Sequence, residues 1–265
     1  MKLVLENGKN RYELKKGDIV YSTPASLPVM QNPELDSEKI LTIPKGTEVN
    51  VIEVFDNGWS YIYSSFRNGY VLSEGLSNIN PIKKEQDGES GVELSKEELL
   101  NKLNFEMNIG EPSGLSLEQF RTILQYKKSD KNKVFTNNAD YFYYAEQSYG
   151  INGVFLASLA IHESGWGTSN IALNKNNLFG YQAYDSSSYS SAKQFNSYSE
   201  GIDFVARILI KYYLNSNGTE IYGGEVADGR YYSGNTIKSV NKYYASDSNW
   251  SMAIYKIMEG LYNDL

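Results

Sequence analysis

The sequence predicts a two-part protein: a small all-β barrel or sandwich over residues 1–80, then a mainly α-helical domain over residues 94–265. Three observations carry this. Residues 1–80 alternate, with Val49, Val51 and Val54 set among Glu48, Asn50 and Glu53, and turn signals recur at short intervals. Residues 81–93 include Lys83-Lys84-Glu85-Gln86-Asp87-Gly88-Glu89-Ser90-Gly91, charge and glycine without periodicity, which reads as a linker. From Leu94 onward the apolar spacing becomes helical.

In the first part the expected turns are Lys16-Gly17-Asp18, Pro44-Lys45-Gly46, Asp56-Asn57-Gly58 and Arg67-Asn68-Gly69. In the second part, Ser95 with Glu98, Ser116 with Gln119 and Ser197 with Glu200 are spaced as capping boxes that open helices. Leu117, Phe120, Ile123 and Leu124 share a face of a helix over 116–126. Lys127–Lys133 reads as a polar loop, and 138–149 as an aromatic helix ended by Gly150. Residues 182–196 read as an irregular loop or a hairpin. Ile202, Val205, Ile208, Leu209 and Tyr212 define another amphipathic helix. Five glycines between 215 and 235 mark a loop, and a last helix starts near Asn249, with Asp247 or Ser248 as its expected cap.

Composition excludes several functions. The net charge is −7, from 25 basic against 32 acidic residues, with no basic cluster, so nucleic acid is not an expected partner. With no cysteine, disulfides and thiolate catalysis are excluded. His162 is the only histidine and cannot build a multi-His metal site, so no metal or cofactor is expected. No run approaches the roughly 18 apolar residues of a membrane span. Met1–Asn7 is too polar for a signal peptide, so an exported form needs a removed leader or another route. The 23 tyrosines supply flat apolar faces with a hydroxyl, a surface suited to sugars, although a Tyr-rich proteome would produce the same count.

The second part is organised around residues 153–181. Residues 154–161 are apolar except Ser158, Asn152 can cap a helix, and Gly165 can end it. Glu163 emerges at the end of that segment. Burial and the negative end of the helix dipole both raise a carboxyl pKa there, as a general acid requires. Trp166, between Gly165 and Gly167, places an indole beside it. An acid next to a flat ring suggests a sugar site; a capping or ion-paired Glu163 with a core Trp166 is the bland alternative.

The string Glu163-Ser164-Gly165-Trp166-Gly167-Thr168-Ser169, followed by Asn176-Asn177-Leu178-Phe179-Gly180, resembles the signature of the bacterial endo-β-N-acetylglucosaminidases of glycoside hydrolase family 73. Ala183-Tyr184-Asp185-Ser186 and Tyr244-Ala245-Ser246-Asp247-Ser248-Asn249-Trp250 extend the likeness, which runs from about Leu115 to the C-terminus. The resemblance implies a lysozyme-like, mainly helical peptidoglycan autolysin. Glu163 would be its acid, and Tyr244 would steady the substrate's 2-acetamido group or the oxocarbenium-like state. Trp166, Asn177, Phe179 and Tyr181 would line the cleft, with Phe179 also suited to the core.

The second catalytic group is open. Paired carboxyls stand roughly 5–5.5 Å apart for retention and roughly 6.5–9.5 Å for inversion. The stretch after Phe179-Gly180 offers Asp185, which can equally hold a turn, and Glu200, which fits a cap. The substrate's acetamido group is the remaining nucleophile. A lytic transglycosylase or muramidase would share the scaffold, but transglycosylases usually follow Glu-Ser with a Gly-Leu-Met-Gln-like string. A non-catalytic wall-binding protein would not need Glu163.

The order Pro44-Lys45-Gly46-Thr47-Glu48-Val49, Asn57-Gly58-Trp59 and Asn68-Gly69-Tyr70-Val71 resembles bacterial Src-homology-3-like domains, which commonly bind wall peptide or cross-bridge beside a lytic domain. Trp59, Tyr61 and Tyr70 would line such a groove, and Trp59 also suits the barrel core. The partners implied are peptidoglycan glycan strands and wall peptide, and the setting is secreted or wall-associated, with a monomer expected.

Overall fold

The computed structural model describes residues 3–6, 9–24, 26–64, 68–81, 94–125, 127–183, 188–222 and 225–265. The chain divides into two compact units, Met1–Gly91 and Val92–Leu265.

The first unit is antiparallel β. Strands β1 (Leu3–Glu6) and β2 (Lys9–Tyr12) form a hairpin. The next seven are β3 (Ile19–Ser22), β4 (Ser26–Met30), β5 (Lys39–Pro44), β6 (Glu48–Val54), β7 (Trp59–Ser64), β8 (Asn68–Leu72) and β9 (Leu76–Ser77). They form one sheet in the order β5-β4-β8-β7-β6-β3-β9. Alternation decides the faces: in β6, Val49 and Val51 are buried while Glu48 and Asn50 are exposed. Val20, Val29, Ile43, Ile62 and Val71 are fully shielded from solvent, so the sheet coils around that apolar face.

The expected turns at Gly17, Gly46 and Gly58 all carry positive φ. Of the expected turn Arg67-Asn68-Gly69, Arg67 lies outside the described residues, and Asn68 and Gly69 begin β8. Gly69 is needed there for close packing, because a Cβ would lie 2.5 Å from Val29 Cγ1.

The second unit is helical: α1 (Lys96–Lys102), α2 (Leu117–Leu124), α3 (Val134–Tyr149), α4 (Gly153–Ser164), α5 (Asn170–Lys175), α6 (Ser188–Ser191), α7 (Tyr198–Tyr212), α8 (Ile237–Tyr244) and α9 (Trp250–Asn263). The boxes Ser95/Glu98 and Ser116/Gln119 are formed in full. Glu200 N–H donates to Ser197 Oγ at 3.1 Å.

Three boundaries differ from the sequence reading. Helix α3 starts four residues before 138, because the buried Asp130 accepts from Thr136 N–H at 2.8 Å and caps it from a distance. The described part of 182–196 contains the helical turn α6. Asn249, not Asp247 or Ser248, holds the N-cap position of α9, while Asp247 Oδ1 accepts from Asn249 N–H at 2.8 Å. Helices α5 and α8 are additions to the sequence reading.

Helix α4 is the core of this unit. Every residue from Gly153 to Ile161 is buried, and α3 and α9 pack against it. Its N-terminus rests on another buried acid, Glu146, which accepts from Gly153 N–H at 2.7 Å and Ser113 N–H at 2.9 Å. Burial pushes the Glu146 carboxyl up to about 7, against the lowering effect of those donors.

A carboxyl raised in the folded state binds its proton more tightly than in the unfolded chain. Its contribution is therefore complete below the unfolded value of about 4.3 and falls as pH rises toward 7. Relative to Glu146→Gln, the wild type should lose up to about 3 kcal/mol of stability between pH 4.5 and 7.5. Denaturant unfolding of both proteins across that range measures it; parallel curves would reject the shift.

Candidate active site

Glu163 sits in the last turn of α4. Gly165, at φ +56°, donates its N–H to Ile161 O and ends the helix. Ser164 then holds the reversal: its Oγ donates to Ala160 O at 2.6 Å and accepts from Gly167 N–H at 2.8 Å. Trp166 lies between two left-handed glycines at φ +59°, an unfavourable conformation for a bulky residue. Its ring packs edge-on to Phe135 at 5.4 Å, outside the lining of the cleft beside Glu163.

That cleft encloses about 740 Å³. Glu163, Phe179, Tyr181, Tyr213, Tyr244 and Trp250 contribute to its walls. The half-buried Glu163 accepts from Trp250 Nε1–H through Oε1 at 2.9 Å. Burial raises the carboxyl pKa, while the Trp250 hydrogen bond and the neighbouring His162 lower it. The Tyr244 ring tilts over Trp250 at 5.1 Å. Burial, with the Glu163 charge adding to it, holds the Tyr244 phenol well above its ordinary value, so it is a neutral hydroxyl.

Asn177 does not line this cleft; it builds the wall from behind. It is 1% exposed, and its Nδ2 donates to Tyr181 O at 3.0 Å and Lys193 O at 2.8 Å. Its Oδ1 accepts from the backbone N–H of Phe179 at 3.3 Å and Tyr181 at 3.1 Å. The tightened turn presents Phe179 and Tyr181 to the cleft. Glu200 accepts from Asn196 N–H at 2.6 Å and is absent from the lining. Asp185 lies outside the described residues. Among the described residues, Asp247 is the other carboxylate in the lining.

Residues 139–263 match the family described as Glucosaminidase, mannosyl-glycoprotein endo-beta-N-acetylglucosaminidase. Residues 139–263 are thus similar to a glycoside-hydrolase domain. A putative endo-beta-N-acetylglucosaminidase of Streptococcus pneumoniae is 35% identical over 127 residues, which is 48% of this chain and 18% of that protein. A bifunctional autolysin of Staphylococcus aureus is 26% identical over 210 residues, 71% of this chain and 15% of that protein. The chain thus spans less than a fifth of the length of these curated relatives.

Among solved structures, a catalytic mutant of S. aureus Autolysin E in complex with the disaccharide NAG-NAM aligns with a TM-score of 0.42 and 22% identity, covering 65% of this chain and 80% of that one. The Major Bifunctional Autolysin aligns with a TM-score of 0.40 and 26% identity, covering 71% and 78%.

Within the helical unit, Trp250, Tyr213, Arg230 and Tyr231 are cleft residues that sequence reasoning did not name as such, and Trp250 is the one bonded to Glu163. The sequence places it at the end of the Tyr244–Trp250 string and on the apolar face of the last helix, with no role in the cleft. The available signal is that an indole carries one N–H, which must find an acceptor when the ring is buried. Among the described residues, no group of three or more His, Asp or Glu side chains is arranged to hold a metal, and no helix is long and apolar enough to cross a membrane.

The β unit places its three candidate residues on one face of adjacent strands. Trp59 pairs with Leu72, and Tyr61 with Tyr70, in the β7–β8 register. The Tyr61 and Tyr70 rings are 4.8 Å apart, with Phe55 5.7 Å from Tyr70. Trp59 is only 6% exposed and forms part of a small cleft with Leu27, Met30, Leu35 and Lys39.

Proposed function

We propose that the helical unit hydrolyses peptidoglycan at the β-1,4 bond between N-acetylglucosamine and N-acetylmuramic acid, with Glu163 as general acid. The observation that carries this reading is a carboxyl of raised pKa, ending a buried apolar helix in an aromatic-walled cleft. The glucosaminidase match over 139–263 supports glycan hydrolysis in general.

In this mechanism Trp250 fixes Oε1, which leaves Oε2 to carry the proton to the bridging oxygen. Tyr244, a neutral donor above Trp250, positions the acetamido group as it attacks the anomeric carbon. Asp185 supports the loop or orients water. Glu163, now a carboxylate, takes the proton from the water that opens the intermediate. A lytic transglycosylase would leave an anhydromuramic end instead of a reducing N-acetylglucosamine, and mass spectrometry of the products separates the two.

The acid works only while protonated, so activity should fall as pH rises through the raised Glu163 pKa. Trp250→Phe removes the donor that lowers this pKa, so the falling limb should move to higher pH and the maximal rate should drop. Glu163→Gln should lose about 10²–10⁴-fold while melting normally. Retention of more than about a tenth of wild-type wall lysis would reject Glu163 as the acid.

The second group is decided by comparing Tyr244→Phe with Asp185→Asn on one wall substrate. Acetamido assistance predicts the larger loss in Tyr244→Phe. An Asp185→Asn as inactive as Glu163→Gln, beside a near-normal Tyr244→Phe, would establish a two-carboxylate mechanism.

For the β unit we propose a Src-homology-3-like wall-binding role, with Trp59, Tyr61 and Tyr70 contacting peptide or cross-bridge. Such a unit adds avidity, not chemistry. Residues 1–91 should sediment with purified walls, and residues 92–265 should do so more weakly than the full chain. Equal sedimentation of 92–265 and the full chain would remove the role.

A further inference from the structure

Beyond Glu163, the aromatic residues form a continuous series. Trp250 contacts Tyr244 at 5.1 Å, Tyr244 contacts Tyr213 at 5.7 Å, Tyr213 contacts Tyr231 at 5.0 Å, and Tyr231 contacts Tyr243 at 6.0 Å. The series starts at the acid and ends in the open. Tyr231 is 39% and Tyr243 56% exposed, and Tyr243 lies beyond the cleft lining. Core packing does not require two large exposed rings side by side.

Arg230 stands next to this outer end, in the lining of the same cleft. Its guanidinium lies 4.9 Å over the Tyr212 ring. Asp228 holds it in a fork, Nε to Oδ1 at 2.8 Å and Nη2 to Oδ2 at 2.6 Å. A guanidinium has five N–H donors, so both donors of Nη1 and one of Nη2 remain after this pairing. Arg230 lines the cleft and Asp228 does not.

The loop that carries Arg230 is firmly built. The N–H groups of Asp228 and Gly229 both donate to Lys211 O at 3.0 Å, and Tyr231 N–H donates to Tyr212 O at 3.0 Å. Gly229, at φ +64°, packs so tightly that a Cβ would lie 2.3 Å from Asn217 N. The side chains are therefore pre-organised, which reduces the ordering cost of binding.

We propose that Arg230, Tyr231 and Tyr243 form an outer subsite for a sugar unit bearing a carboxylate. The rings stack on its apolar face and the free Arg230 donors bind the carboxylate, as on a lactyl-ether sugar. This rests on reading the cleft as a glycan-cleaving site, and it predicts which feature of the glycan is recognised.

The test uses the full chain and two substrates: peptide-free wall glycan strands, and the same strands with their carboxyls chemically reduced to alcohols. Wild-type KM should rise about tenfold on the reduced strands with kcat little changed, as expected for a charge-assisted bond. Arg230→Gln should show the raised KM on native strands and no further rise on reduced ones. Tyr231→Ala should raise KM on both. Because Arg230→Gln leaves Asp228 unpaired, the double variant Asp228→Asn/Arg230→Gln serves as its folding control and should behave in the same way. A wild type indifferent to reduction, or Arg230 variants equally impaired relative to wild type on both strands, would overturn the carboxylate subsite while leaving wall hydrolysis intact. A wild type that cuts neither strand would overturn the glycan-cleaving reading itself, and the subsite with it.

Discussion

Helix α4 is buried around its whole circumference from Gly153 to Ile161, with Ser158 the one polar side chain among apolar ones, and such a helix is stable only when neighbours cover every side. That burial requirement constrains the rest of the unit. It draws α3 and α9 onto α4, and it places whatever follows Ile161 at the edge of the core. Glu163 occurs there, at the point where shielding raises the carboxyl pKa but the side chain still meets solvent. The single hydrogen bond from Trp250 offsets part of the burial cost and fixes one carboxyl oxygen.

The surrounding backbone is arranged to keep that geometry. Ser164 and Gly165 reverse the chain within one residue of the acid, and the strain at Trp166 is held by the Phe135 contact. Asn177 makes four hydrogen bonds, three within the following turn and one to Lys193 O, which together occupy its amide. A different polar cluster ties α3 to α7. Tyr149 O–H donates to the buried Asp203, which also accepts from Arg207 at 3.0 and 2.8 Å. These groups serve stability, whereas the aromatic series from Trp250 to Tyr243 faces the cleft and the surface.

Much of this was legible in the sequence. Capping boxes at Ser95 and Ser116, alternation in β6 and turn glycines at 17, 46 and 58 are local signals, and local physics is enough to read them. Where the reading departed from the structure, the cause was a specific partner that residue pattern and spacing do not reveal. Gly69 looks like a turn residue until Val29 is placed against it. Asp130 extends α3 by four residues through a bond to Thr136. Asn177 looks like a ligand-binding amide until the carbonyls of Tyr181 and Lys193 occupy it.

The sequence by itself determined the two-part organisation, the buried central helix and the carboxyl at its end, because periodicity, capping and apolar content act over a few residues. Phe179, Tyr181 and Tyr244, which the family resemblance named, line the cleft with that carboxyl, but only the tertiary structure decided that Trp250, Arg230 and Tyr231 join them. Trp250 is 87 residues from Glu163, and Arg230 and Tyr231 come from a loop that the pattern did not connect to it. Contacts of that separation are set by how helices pack around α4, a property of the whole core that no short stretch of sequence encodes.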